Sequence, residues 1–180
     1  CGIIGATSSR SVGKILIKGL HLMEYRGYDS AGVALQQKDQ ITRLRALGKV
    51  AELESLMVKH KPKAKSGIAH TRWATHGQPS EQNAHPHDSH EEIFIVHNGI
   101  IENHSELKKQ LTDAGYTMKS ETDSELIAHL IHFHKQTTHE PMQALMLATQ
   151  SMQGAYAIAM IDTTACLLYT SPSPRDVSRS

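Results

Sequence analysis

The five residues C-G-I-I-G, 1–5, open the chain on a cysteine and run directly into an apolar segment, so residues 1–6 read as a short buried strand. No methionine precedes Cys1, and one residue therefore carries both a thiol and a free α-amine. The thiol is a nucleophile with a reference pKa of about 8.5, and the amine is a base at about 7.7–8.0. Few other positions join a nucleophile to a base that titrates so close to neutrality. Taken alone, Cys1 reads equally well as a buried structural thiol, and the residues downstream have to decide.

Outward from this strand, Val12, Ile15, Leu16, Leu20 and Met23 fall at helical spacing over residues 11–23, with Gly27 as a terminator. GVALQQ and ITRLRAL, separated by turn residues, predict a hairpin over residues 31–46, and residues 50–60 a modest helix. GIAHTRW, 67–73, alternates apolar and polar residues and reads as a strand. Residues 74–92 have Gly, Pro and polar residues without periodicity and read as one long loop, of the kind that carries function. IFIVHNG, 93–99, is a strand running into a glycine, and NHSELKKQLTDAG a helix stopped at Gly115. Thr122 and Glu125 have capping-box spacing at the head of another helix, and Pro141 lies in the first turn of a further one. AYAIAMID, 155–162, is a last strand. The strands come in clusters, so the expected class is α+β with antiparallel sheet, not a doubly wound parallel fold. The predicted domain spans 1–162, and residues 163–180 read as an unpatterned Ser/Pro/Arg tail, a flexible end or a non-native junction.

Composition sets the outer bounds. With 180 residues, 39% hydrophobic and 21% charged, the chain suits one globular domain. A net charge of +1 points to neither nucleic acid nor an anionic membrane, and no apolar run reaches the roughly 18 residues of a membrane span. Two cysteines, Cys1 and Cys166, are too few for a disulfide framework and point to a reducing, cytoplasmic compartment. Thirteen histidines, with HPH at 85–87 and HLIHFH at 129–134, invite a metal reading. No HExxH or CxxC spacing supplies a recognisable ligand set, so no metal or other cofactor is expected.

CGIIG, EYRGYDSAG at 24–32, HTRWATHGQPS at 70–80, NAHPH at 83–87, HNGIIENH at 97–104 and SETDSE at 120–125 form an ordered set of motifs. Together they resemble the glutaminase domain of the glutamine–fructose-6-phosphate aminotransferase family, among the N-terminal-nucleophile, class II glutamine amidotransferases. The resemblance implies a four-layer αββα sandwich of two antiparallel sheets between helical layers. It implies hydrolysis of L-glutamine to glutamate and ammonia, with the ammonia passed to a fructose-6-phosphate isomerase domain absent from this chain. It also implies that the full-length protein is a homo-oligomer. Members of the family continue past Asp162 with further strands, so the sandwich is expected to be incomplete here. The alternative is a non-catalytic fragment or a glutamine-binding module.

By this resemblance Cys1 is the nucleophile with its own α-amine as the base, and the Asn98 side chain and the Gly99 N–H stabilise the oxyanion. From the residues alone, Asn98-Gly99 is also the commonest hairpin-turn dipeptide. Arg72 suits a carboxylate through its bidentate fork, and Asp123 would pair with the substrate ammonium, although an acid just after a helix cap is favoured by the helix dipole anyway. Trp73, Thr75, His76 and Gly77 complete the expected pocket and its mobile lid. Gly2 is read as relieving bulk beside the nucleophile. Arg26 and Asp29 are read as structural support, as a buried pair or as a brace for the site.

Overall fold

The computed structural model describes residues 1–38, 40–74, 77–165 and 167–170. The chain opens with strand β1 (Gly2–Thr7) and helix α1 (Gly13–Met23), which a short 3-10 turn extends to Arg26. The hairpin follows as β2 (Ser30–Gln37) and β3 (Gln40–Leu47), then helix α2 (Val50–His60) and β4 (Ser66–Arg72). The second half contains β5 (His87–Ser89), β6 (Ile93–Gly99), α3 (His104–Asp113), α4 (Asp123–Thr138), α5 (Pro141–Ser151), β7 (Tyr156–Asp162) and β8 (Leu167–Thr170).

These elements form two four-stranded antiparallel sheets, ordered β1-β4-β2-β3 and β5-β6-β7-β8. Three cores hold the layers together. Val12, Leu16, Ile17 and Leu20 of the α1 segment and Val50 and Leu53 of α2 pack on the outer face of the first sheet, against Val33, Leu35 and Ala69. Leu126, Ile127, Leu130 and Ile131 of α4 cover Ile93, Ile95, Ile158 and Met160 of the second sheet, with α3 and α5 outside them. Between the sheets lies a smaller core of Ala34, Ile68, Phe94, Val96, Ala159 and Ile161. The arrangement is α+β, an αββα sandwich.

The period of two along a strand sorts side chains between these cores. On β4, Ala69 goes to the helix side and Ile68 to the inter-sheet side; on β6, Ile93 and Ile95 face α4 while Phe94 and Val96 face the first sheet. Ile3 of β1 stands in register with His70 and packs against the inter-sheet core. Gly32 of β2 pairs with His70, and a Cβ there would stand 2.0 Å from the His85 carbonyl oxygen, so only glycine lets the 74–92 connection approach the sheet.

Several expectations change. Strand β1 is an edge strand, buried at Gly2 but half-buried or exposed from Ile3 to Thr7 instead of being buried throughout, because among the described residues it pairs with β4 alone. The expected long loop contains β5, three polar residues too short to show alternation. The region read as an unpatterned tail from residue 163 instead turns at Thr163–Ala165, where the Asp162 carboxylate accepts the N–H groups of Thr164 and Ala165, and returns as β8 on the edge of β7. Gly2 is small for a different reason from the one read above. A Cβ on it would lie 2.8 Å from the Met23 Cβ, so the end of α1, not the nucleophile, demands the space.

Ile68, fully buried where the two sheets meet, tests the inter-sheet core. Ile68→Ala is expected to cost about 2–5 kcal/mol, a large part of the roughly 5–15 kcal/mol that holds a domain folded. A urea unfolding midpoint that drops steeply at unchanged slope would show it.

Candidate functional site

At one end of the sandwich the inter-sheet layer changes from apolar to polar. Along β4 the inward positions run Ile68, His70, Arg72, and along β6 they run Phe94, Val96, Asn98. Cys1, two residues before Ile3, continues the same face of β1 beside Arg72. Helix α4 begins at the same end and places Asp123 in its first turn.

A cavity of about 240 Å³ opens here, lined by Cys1, Arg72, Trp73, Gly99, Thr122 and Asp123, with His85, His97, Ile100 and Ser124 completing the wall. A larger hollow of about 870 Å³ between α1 and α2 lies outside the first sheet and has none of the motif residues Cys1, Arg72, Gly99 and Asp123 on its wall. The smaller cavity is the chemical one.

The α-ammonium of Cys1 donates to the Arg26 carbonyl oxygen at 2.7 Å. Its Sγ accepts the Trp73 N–H at 3.1 Å and donates to the Trp73 carbonyl oxygen at 3.6 Å. Trp73 thus contributes its backbone at the nucleophile, while its side chain is largely exposed.

Arg72 is buried, and its guanidinium donates to the carbonyl oxygens of Gly77 at 3.2 Å and Gln78 at 3.3 Å, with Asp29 at 3.9 Å. Burial lowers its pKa from the usual arginine value, and the charges of Asp29, Asp123 and Glu121 oppose that shift. Asp29 also accepts the Ala74 N–H and the Ser30 hydroxyl, so it braces the chain just beyond Trp73. Arg26 and Asp29 do not form a buried pair. The Arg26 side chain is exposed and donates to the Tyr25 hydroxyl, and Arg26 serves the site through its carbonyl.

Asp123 is buried and accepts the Ile101 N–H at 2.9 Å. The capping box does not form in the expected way. Thr122 stands at the cap position, but its hydroxyl meets His87 Nε2 at 3.0 Å. The Glu125 carboxylate turns instead to the N–H groups of Lys119 and Ser120 and to the Ser120 hydroxyl. Burial alone would raise the Glu125 pKa; these donors and His129 outweigh it and hold it at about 2.

Gly99 lies on the cavity wall at φ 125°, and a Cβ there would come within 2.2 Å of the Ala155 carbonyl oxygen. Asn98-Gly99 is therefore the end of β6 and not a hairpin turn. Asn98 is half-buried and is not among the residues lining the cavity; its Oδ1 accepts from His70 Nε2 at 2.8 Å. Gly77 faces Asn83 and Glu121, whose side chains tie the following residues down: Asn83 Nδ2 donates to the Gln78 carbonyl oxygen and the Glu121 carboxylate. Thr75 and His76 lie outside the described residues, as does Cys166.

The sequence reading assigned no role to His70, His85, His87, His97 or Ser124, although the inward position of His70 between Ile68 and Arg72 was readable from the alternation. His85 packs on His70 at 4.0 Å between ring centroids and on His87 at 4.8 Å, and His97 Nδ1 meets Ser124 Oγ at 2.8 Å. Among the described residues, no group of three or more His, Cys, Asp or Glu could hold a metal ion. Burial pushes His70 and His87 down to about 3 and His85 well below its ordinary value. For His70 the bond to Asn98 opposes burial, while the Cys1 α-ammonium adds to it.

These three rings stay neutral in the fold while the unfolded chain takes up protons on them below about pH 6.5. Stability is therefore full above that pH and is lost as pH falls toward 3, by up to about 1.4 kcal/mol per pH unit for each ring. Urea midpoints measured from pH 7.5 to 5 are expected to fall with that sign; a flat profile would contradict the burial of the cluster.

The family model described as a glutamine amidotransferase domain matches residues 70–171. Among curated relatives, a glutamine–fructose-6-phosphate aminotransferase [isomerizing] from Legionella pneumophila (strain Paris) is 54% identical over 162 residues, covering 89% of this chain and 27% of its own length. The Haemophilus influenzae protein of the same name is 49% identical over 91% of this chain and 27% of its own. This chain thus spans about a quarter of the length of these relatives. Among solved structures, glutamine phosphoribosylpyrophosphate amidotransferase from B. subtilis superposes with a TM-score of 0.78 at 27% identity, over 91% of this chain and 35% of that one.

Proposed function

The chain belongs to the glutamine amidotransferase domain family, and from that premise we propose that Cys1 hydrolyses L-glutamine to glutamate and ammonia in the cavity it shares with Arg72 and Asp123. The observation that carries the proposal is the convergence, in 240 Å³, of a terminal thiol that accepts a backbone N–H with a buried cation and a buried anion. Glutamine has the matching shape: a carboxylate for Arg72, an ammonium for Asp123, and a carboxamide at the far end for sulfur.

The Cys1 thiolate attacks the carboxamide carbon, and the electron pair of the C=O moves to oxygen. The Asn98 carboxamide NH₂ and the Gly99 N–H receive that oxyanion. The α-amine, which holds the thiol proton, passes it to the leaving nitrogen, and ammonia departs as the thioester forms. Water, losing a proton to the same amine, attacks the thioester; sulfur leaves, and glutamate is released. The sum is glutamine plus water to glutamate plus ammonia.

In the longer protein whose relatives are named for fructose 6-phosphate, this ammonia serves amino transfer to that sugar on a part of the protein outside this chain. Among the described residues no helix is long and apolar enough to cross a membrane, and we place the reaction in the cytoplasm, where a free thiol survives.

An electrophilic glutamine analogue is expected to label Cys1 stoichiometrically, to be blocked by excess glutamine, and to leave Cys166 unmodified on peptide mass mapping. Cys1→Ser, or acetylation of the α-amine with the thiol intact, is expected to abolish glutamate release; turnover by the acetylated protein would exclude the amine as base. Arg72→Lys loses the paired hydrogen bonds to the substrate carboxylate, and KM for glutamine is expected to rise roughly ten- to hundredfold with a smaller change in kcat. An unchanged KM would remove Arg72 from the carboxylate.

A further inference from the structure

We infer that His70 is a positioning residue: through its Nε2–H it fixes which end of the Asn98 carboxamide faces the reaction. The inference rests on the glutaminase reading of Asn98 given above.

A carboxamide is nearly symmetric in shape, and turning it by half a rotation exchanges a donating NH₂ for an accepting oxygen at little steric cost. Packing therefore cannot choose between the two; the partner's chemistry must. Here the amide oxygen faces His70 Nε2 at 2.8 Å. An oxygen only accepts, so Nε2 carries the proton, and Nδ1, which has no hydrogen-bond partner among the described residues, is bare. With its oxygen engaged, Asn98 has its NH₂ left for the oxyanion. The opposite tautomer would present a lone pair at Nε2, draw the NH₂ toward His70, and turn the amide oxygen against the developing negative charge.

The surroundings hold this choice in place. His70 is fully buried on β4, in register with Ile3 of β1 and Gly32 of β2, and the ring of His85 lies against it at 4.0 Å, inclined by 52°. His85 is itself buried and has no hydrogen-bond partner on either ring nitrogen among the described residues, so it does not compete for the Nε2 proton.

A nitrogen-15 spectrum of the wild-type chain is expected to show the proton of His70 on Nε2; a proton on Nδ1 alone would overturn the inference without any substitution. In His70→Phe, which keeps a ring but loses the donor, kcat for glutamine hydrolysis is expected to fall about ten- to hundredfold, within the range for loss of one oxyanion donor, with KM nearly unchanged. Glutamate γ-semialdehyde adds the Cys1 sulfur to its aldehyde and leaves an oxygen where the oxyanion forms. Its affinity is expected to fall with kcat, while that of glutamate does not. His70→Gln, which restores an N–H donor, is expected to recover most of both losses. Equal weakening of glutamate and semialdehyde, or no recovery in His70→Gln, would mark His70 as merely structural and overturn the inference. If His70→Phe does not fold, the tautomer and His70→Gln decide it. A wild-type chain that neither hydrolyses glutamine nor reacts with the analogue would overturn the glutaminase reading instead, whatever the tautomer.

Discussion

The two-residue period of β4 is the constraint on which the rest depends. Ile68, His70 and Arg72 share one face, and that face cannot be exchanged with the other without moving Ala69 out of the α1 and α2 core. Once Ile68 is committed to the layer between the sheets, His70 and Arg72 are carried into the same layer, nearer its open end. Pairing then fixes the neighbours: Ile3 lies opposite His70, so Cys1 must emerge beside Arg72. On the other sheet, Phe94 and Val96 commit Asn98 in the same way. The chemical end of the domain is thus a continuation of its apolar core with polar side chains substituted at the last two levels. Cys1 stands just ahead of an edge strand, since among the described residues β1 pairs with β4 alone.

Polar residues at these levels have to be neutral or paired, since burial penalises an isolated charge. Both solutions are present. The His70, His85 and His87 rings remain neutral, and packing against one another reinforces this, because a proton on any of them would repel charge on the next. Arg72 and Asp123 are served by the backbone: Arg72 by the carbonyls of Gly77 and Gln78, Asp123 by the Ile101 N–H. The cavity therefore has Arg72, Asp123 and the neutral His85 imidazole on its wall, which suits the proposed substrate, with two charged groups and a neutral reacting amide.

The elements were legible where periodicity is long. Helix α2 and β6 fall at the expected residues, and the α1 stripe of Val12, Leu16 and Leu20 needed only the spacing. Strand β5 was not legible because three polar residues carry no period, and β8 because a four-residue strand before a Ser/Pro-rich end looks like coil. Of the residues the motifs singled out, Cys1, Arg72, Trp73, Gly99 and Asp123 are gathered by the fold onto the wall of one cavity. The motifs did not reveal that Arg26 acts through its carbonyl, that Trp73 acts through its N–H, or that Asp29 holds Ala74, because backbone donors and acceptors leave no trace in residue identity. The Thr122 and Glu125 spacing misled for a related reason: it reports only that the two side chains could cap each other, while the turn at 119–120 brings better donors to Glu125.

Arg72 links the cavity to the backbone at Gly77 and Gln78. Its guanidinium already holds the carbonyl oxygens of Gly77 and Gln78 at 3.2 and 3.3 Å, longer than good charge-assisted bonds of about 2.7–2.9 Å. On the proposal above, a substrate carboxylate would be the stronger acceptor and would compete for the same planar set of donors. The segment is also tied farther along, where Asn83 and Glu121 grip Gln78 and each other. Occupation of the proposed carboxylate subsite would therefore be felt first at Gly77 and Gln78, in a segment whose far end is held by other side chains.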